Sequence, residues 1–206
     1  MKLLDIHTHR QQKEHVAIHN IPTASAAGIS SVGIHPWNVD DRWEESFAVI
    51  RESAKETAVT AIGECGIDKV NSKASLELQH RVFSAHMELS EALKKPLIIH
   101  CVKAFDAITA LHKEKKPQQA WIIHGFRGKP QQAIQLIKEG IYLSLGEHFN
   151  PESARSIPHD RLFIESDDSS TPINNIYAAV ADARGCSIEE LSQQIWENAR
   201  RCGFDL

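Results

Sequence analysis

The chain has 206 residues, 42% hydrophobic and 24% charged, with a formal net charge of −4. That length suffices for one domain with a full core, and the acidic balance excludes wholesale electrostatic binding of a polyanion, so any such site must be local. No run approaches the ~20 apolar residues of a membrane span, and the opening Met1-Lys2-Leu3-Leu4-Asp5-Ile6-His7 has no secretory apolar core, so a cytoplasmic protein without membrane contact is expected.

The first strand is expected at 3–7, leading into His7-Thr8-His9. Residues i and i+2 of a strand share a side, so these two imidazoles aim at one point, a geometry suited to zinc-like cations. Strands two and three, at 16–20 and 31–35, leave too little chain between them for full crossover helices. Parallel strands ordinarily need a dozen or more connecting residues, so this part is expected to be stripped down, distorted or locally antiparallel. The third strand ends Gly33-Ile34-His35-Pro36-Trp37, ahead of a helix at 41–55. Strand four, 60–64, runs into Gly63-Glu64-Cys65-Gly66-Ile67-Asp68 and is followed by a helix at 75–93. Strand five, 97–100, ends in His100 and precedes a helix at 105–115. Strand six, 121–124, ends in His124. The next helix, 130–138, has Pro130 in its first turn, an inward stripe of Ala133, Leu136 and Ile137, and Gly140 past its end. Strands seven and eight fall at 141–145 and 162–165, the latter running into Ser166-Asp167-Asp168. Helices at 173–183 and 188–201 close the chain, the last opened by the capping box Ser187-Ile188-Glu189-Glu190.

Alternating strands and helices, with no linker or repeat, place the chain in the α/β class as a single (β/α)8 TIM-type barrel over 1–206. The carboxyl ends of barrel strands gather at one rim, where such folds carry their sites. His7, His9, Glu64, His100, His124 and Asp167 all stand at such ends. Six ligands are too many for one four-coordinate zinc, so two divalent metal ions are expected. Glu64 is the expected bridge, with His7, His9 and Asp167 on one metal and His100 and His124 on the other. Two dications outweigh the charge of Glu64, Asp167 and a bridging hydroxide, which suits an anionic phosphodiester. Two such ions can activate water and stabilise the leaving oxygen. Whether they are zinc, magnesium or manganese is left open, since geometry decides among them.

Around this rim, Lys103 and Arg127, with Lys129, follow strands five and six and are placed either to contact phosphates or to stand as ordinary solvated charge. Trp37 is placed either to stack a base or to pack. The run Lys113-Glu114-Lys115-Lys116 closes a helix on the opposite face, where a cationic C-terminus needs no ligand. His80, His86 and His112 fall on helices and are expected to be structural or surface residues. The four cysteines, Cys65, Cys101, Cys186 and Cys202, form no C-x-x-C pair and no disulfide framework, and Cys65 and Cys101, on the strand face opposite Glu64 and His100, read as structural.

The motifs Asp5-Ile6-His7-Thr8-His9, Gly33-Ile34-His35-Pro36, Gly63-Glu64-Cys65-Gly66-Ile67-Asp68, Lys95-Pro96-Leu97-Ile98-Ile99-His100, His124-Gly125-Phe126, Glu165-Ser166-Asp167 and Glu197-Asn198-Ala199-Arg200-Arg201 occur in this order along nearly the whole chain. In them the chain resembles the TatD-type metal-dependent deoxyribonucleases of the amidohydrolase-like barrel class. The resemblance implies exonuclease-like hydrolysis of DNA with two divalent ions held by the six residues above. It also implies that His35 is an active-site residue contacting substrate rather than a primary ligand. On this reading a metal-bound hydroxide attacks the phosphodiester, Asp167 accepts the proton, and Glu64 and His35 complete the catalytic set. The chain departs from the family pattern in its short 9–33 segment, in Cys101-Val102-Lys103, and in Asp168-Ser169-Ser170-Thr171 after Asp167. Two other functions fit the same residues: a binuclear hydrolase acting on a non-nucleic-acid ester, lactone or amide, and a non-catalytic protein with a vestigial metal site. Nothing in the sequence points to a protein partner.

Overall fold

Apolar runs at the centre of the chain give strands with no exposed face. All ten residues of β4 (Val59–Asp68) and all five of β1 (Leu4–Thr8) are buried, as expected of parallel strands covered on both sides. The structure is a computed structural model and describes residues 2–10, 14–21 and 28–206. The other strands are β2 (Val16–Ile21), β3 (Ser30–Val32), β5 (Leu97–Val102), β6 (Trp121–Ile123), β7 (Tyr142–Leu145) and β8 (Leu162–Ile164). They form one eight-stranded sheet in sequence order, each parallel to the next. A parallel bridge between Thr8 and Asp167 joins the last strand's end back to the first. The result is the expected (β/α)8 barrel.

The helices are α1 (Trp43–Ser53), α2 (Leu76–Leu93), α3 (Phe105–Lys115), α4 (Pro130–Lys138), α5 (Pro151–Ser156), α6 (Ile173–Arg184) and α7 (Ile188–Arg201). Their ends follow local chemistry. Ser75 Oγ accepts from Leu78 N at 3.2 Å to open α2. Ser187 and Glu190 exchange the two bonds of the expected capping box. On the inner side, buried Tyr177 of α6 donates its hydroxyl to the Leu4 carbonyl at 2.7 Å, and Phe83 of α2 packs edge-on to Trp121 of β6.

Three expectations need correction. The first strands are not locally antiparallel: β1, β2 and β3 pair in parallel, and the distortion is a register shift in β1 between Asp5 and Thr8. The short connections between them run partly through residues 11–13 and 22–27, outside the described residues. β3 ends at Val32 rather than at 35, because Ile34 N turns to the buried His86 Nε2, at 3.0 Å, instead of to a neighbouring strand. Finally, α5 lies in a stretch with no expected element, where Asn150 Oδ1 caps a single Pro-initiated turn and a half.

Candidate metal centre

β1 and the residue just past its end deliver the first two histidines. The register shift at Asp5–Thr8 lets His7 and His9 converge although one is buried and the other half exposed. Each Nε2 lies 3.3 Å from Glu64 Oε2. The seam with β8 sets the third group. Asp167 N donates to His7 O at 2.9 Å, and His9 N donates to Asp167 O at 3.1 Å. This clamps Asp167 at φ +55, in the left-handed region that Asp tolerates better than most residues. Its Oδ1 stands 3.6 Å from His7 Nε2 and 3.5 Å from His9 Nε2.

Glu64 reaches the centre through two close strand approaches. β4 carries one extra residue against β5 between Ile62 and Cys65, a bulge that re-aims a side chain. Gly63 and Gly66 make the fit possible. A Cβ on Gly63 would lie 2.3 Å from Ile98 O, and one on Gly66 2.0 Å from His100 O, with φ of +129 and +147. Only glycine avoids both the contact and the backbone strain. The Glu64 carboxylate then divides its oxygens. Oε2 faces His7 and His9, while Oε1 lies 2.7 Å from His124 Nε2, 2.8 Å from His100 Nδ1 and 3.1 Å from His35 Nε2.

The histidines are oriented from behind. His100 donates its Nε2–H toward Asp68 Oδ2 at 3.3 Å, which turns Nδ1 toward Glu64 Oε1 at 2.8 Å. His124 donates Nδ1–H to Glu165 Oε1 at 3.3 Å, and the same oxygen takes Gly125 N at 2.6 Å. A carboxylate behind an imidazole fixes its tautomer and raises its basicity as a ligand.

Charge follows from this packing. Burial pushes the Glu64 carboxyl up, but facing His124 and His7, and hydrogen bonds from His100 and His124, hold it well below the usual carboxylate range. For His124, burial favours the neutral ring, yet Glu64 and Glu165 raise it well above an ordinary histidine. His9 is raised by its hydrogen bond to Glu64, with burial opposing. The cleft beside these groups has a volume of about 310 Å³; Asn20, Trp37, Asn38 and Asp168 line it together with His9, His35, Glu64, His100, His124 and Asp167.

The donor set fits divalent cations. Three overlapping groups place one ligand atom per residue within 4.8 Å of each other: His7/His9/Glu64, His7/His124/Asp167 and His35/Glu64/His100. His7 is fully buried and neither ring nitrogen has a hydrogen-bond partner among the described residues. A buried imidazole left in that state is costly unless a ligand takes the lone pair.

All six residues expected as ligands are thus together. His35, expected to touch only substrate, sits closer in: its Nε2 is 3.1 Å from both Glu64 Oε1 and His100 Nδ1. Arg127 lines an adjoining cavity of about 340 Å³ that shares Asp167 and Asp168 with the cleft. Lys103 does not join them. It lines a groove between α3 and α4 with Asp106, Lys113 and Glu139. Lys113 pairs with Glu139 at 3.1 Å, in keeping with a basic run remote from the site. Burial pushes the Cys65 thiol well up and the Cys101 thiol up to about 12, so neither serves as a nucleophile.

Sequence reasoning missed two site residues. Asn20 of β2 accepts Glu64 N at 2.9 Å and donates to Glu64 Oε2 at 3.4 Å. Its only signal was a polar residue ending an apolar strand. Asp5 accepts Ser166 N at 3.0 Å and Ser166 Oγ–H at 2.6 Å, tying β1 to the segment that carries Asp167. Burial pushes this carboxyl up to about 7 against those hydrogen bonds. A charged residue inside a continuous apolar run was the available clue.

The family profile described as TatD related DNase matches residues 6–203. The chain is 29% identical over 193 residues to the metal-dependent hydrolase YabD of Bacillus subtilis, covering 84% of this chain and 76% of that protein. It is 27% identical over 199 residues to the 3'-5' ssDNA/RNA exonuclease TatD of Erwinia tasmaniensis, again covering 84% and 76%. Among solved structures, the TatD homolog YJJV of Escherichia coli aligns with a TM-score of 0.81 at 18% identity over 92% of this chain and 86% of that one. A variant of a PTE-like lactonase from Deinococcus radiodurans shares the fold at a TM-score of 0.59 and 12% identity, over 85% and 72%. By the span of the family match, the chain belongs to the TatD related DNase family of metal-dependent hydrolases.

Proposed function

We propose that the chain hydrolyses phosphodiester bonds, with DNA as substrate and an exonuclease-like action, using two divalent cations. The observation that carries this reading is the division of Glu64: one oxygen faces His7 and His9, the other His35, His100 and His124. A carboxylate so placed would serve as a bridge between two cations. His7, His9 and Asp167 would hold one ion with Glu64 Oε2, and His100 and His124 the other with Oε1. His35 lines the second position. Bound divalent ions supply water activation and neutralise charge on the phosphoryl group.

The protein's own groups complete the chemistry. Asp167 Oδ1 is clamped by two backbone bonds and a quarter exposed to the cleft, so it can take the proton of the attacking water. Glu165 and Asp68 hold the His124 and His100 rings so that the correct nitrogen faces inward. Arg127, on the wall of the adjoining cavity, meets a backbone phosphate. The relative from Erwinia named as an ssDNA/RNA exonuclease supports the substrate class.

The test strips the protein with chelator and restores zinc, magnesium or manganese one at a time. Single-stranded DNA, duplex DNA, RNA, a lactone and a simple carboxylic ester are offered in parallel. Cleavage of DNA that disappears with chelator and returns with metal is the expected result. A metal-loaded protein that opens the lactone or ester and leaves every nucleic acid intact would overturn the substrate.

A further inference from the structure

Trp37 is the most exposed large hydrophobic residue among those described, at 56%. A tryptophan that merely packs is buried, as Trp121 is at 1%. Trp37 is nevertheless rigidly held. Its backbone N–H donates to His35 Nδ1 at 3.1 Å, and its indole Nε1–H donates to Asp68 Oδ2 at 2.7 Å. The turn it belongs to, Pro36–Asn38, is anchored by Ser72 Oγ–H on Pro36 O at 2.7 Å. The ring stands nearly perpendicular to His35, with centroids 4.8 Å apart, and to His100 at 6.1 Å.

Asp68 is the common member of this arrangement. Oδ2 receives both the Trp37 indole and His100 Nε2, and Oδ1 receives Val70 N and Asn71 N, each at 2.8 Å. One fixed carboxylate therefore sets both the imidazole facing Glu64 and the aromatic plane on the rim. The distance from that plane to the reacting position is built in rather than left to a flexible loop.

We infer that Trp37 is a specificity-determining residue: a pre-set platform on which the base of the nucleotide next to the scissile phosphodiester stacks. This rests on the nucleic-acid reading of the site. Every base offers a π-face, so the platform demands a base and tolerates any of the four. The cleft volume of about 310 Å³ suits one nucleotide rather than a duplex.

The test measures binding of non-hydrolysable phosphorothioate oligothymidylates by the metal-loaded protein. One oligonucleotide is normal and one has abasic terminal residues; binding is read by anisotropy and by quenching of tryptophan emission. Wild type should prefer the normal oligonucleotide about tenfold, as loss of one stacked base predicts. Its emission should be quenched by that oligonucleotide alone. In Trp37→Ala the preference should fall below about twofold, and Trp37→Phe should keep most of it. A Trp37→Ala protein that retains the full preference overturns the inference. So does a wild type that binds both equally without quenching, which needs no variant to fold. Preference without cleavage of ordinary DNA would reject the nuclease reading alone, whereas cleavage without preference would reject the platform alone.

Discussion

Lowering the pH should weaken the fold through one histidine that takes no part in the metal centre. His86 of α2 is fully buried; its Nδ1–H donates to Val82 O at 2.8 Å and its Nε2 accepts Ile34 N at 3.0 Å. The second bond requires the neutral ring, because a protonated Nε2 has no lone pair with which to accept Ile34 N. Burial pushes its pKa down from 6.5 to about 4, against a smaller opposing effect of the Val82 carbonyl. The unfolded chain takes up a proton below about pH 6.5, while the fold refuses it until about pH 4. Stability contributed by the neutral ring is therefore complete above pH ~6.5 and is lost as pH falls toward ~4. At 1.36 kcal/mol per unit, the full loss is about 3 kcal/mol, of which about 2 kcal/mol has gone by pH ~5. Urea unfolding of wild type and His86→Gln, both stripped of metal, isolates the term, since other titrating groups cancel in the difference. The penalty of the substitution should shrink by about 2 kcal/mol between pH ~8 and pH ~5. A penalty that stays constant across that range would refute a neutral buried His86. The consequence reaches the site, because the Ile34 N–H held by His86 immediately precedes His35.

Gly66→Ala places a methyl 2.0 Å from His100 O at a φ of +147, and should cost about 3–5 kcal/mol in unfolding experiments from strain and overpacking together. Asn198→Ala removes the amide that donates to Leu162 O at 2.9 Å and to His159 O at 2.7 Å. With Leu162 O left unpaired in the core, a loss of about 2–3 kcal/mol is expected, read by the urea midpoint. Arg127→Ala should raise KM for DNA about three- to tenfold and reduce the salt dependence of binding by about one counterion. Lys103→Ala, in the separate α3–α4 groove, is the comparison that shows whether the effect is specific to the cleft.

The barrel was legible because its strands are buried on both faces and so appear as unbroken apolar runs between amphipathic helices. The clustered candidate ligands stood out in the sequence for a related reason: His7, Glu64, His100, His124 and Asp167 interrupt or end such runs, where a polar residue has no packing purpose. What escaped notice depends on contacts between distant elements. Asn20 looks like any polar strand end until β2 lies beside β4 and its amide meets both the backbone and the side chain of Glu64. Lys103 and Arg127 both follow their strands closely, yet only Arg127 faces the site, because Lys103 turns at φ +51 toward the α3–α4 groove. The end of β3 at Val32 is set by His86, more than fifty residues away in sequence, which captures a backbone N–H that alternation assigns to the sheet. The turn of α5 is too short to show a helical period, although Asn150-Pro151 spells its cap.

A two-cation centre bridged by Glu64 and acting on nucleic acid is the function proposed for this chain. It is tested most directly by titrating chelator-stripped protein with manganese while following bound ions per chain, spin coupling by electron paramagnetic resonance, and cleavage of single-stranded DNA. Two ions per chain with a coupled signal are expected, as for ions ~3.5–4 Å apart, with cleavage that rises with occupancy; in Glu64→Gln both the coupling and the cleavage should be lost. A single uncoupled ion at saturation, or two coupled ions with DNA left intact, would contradict it.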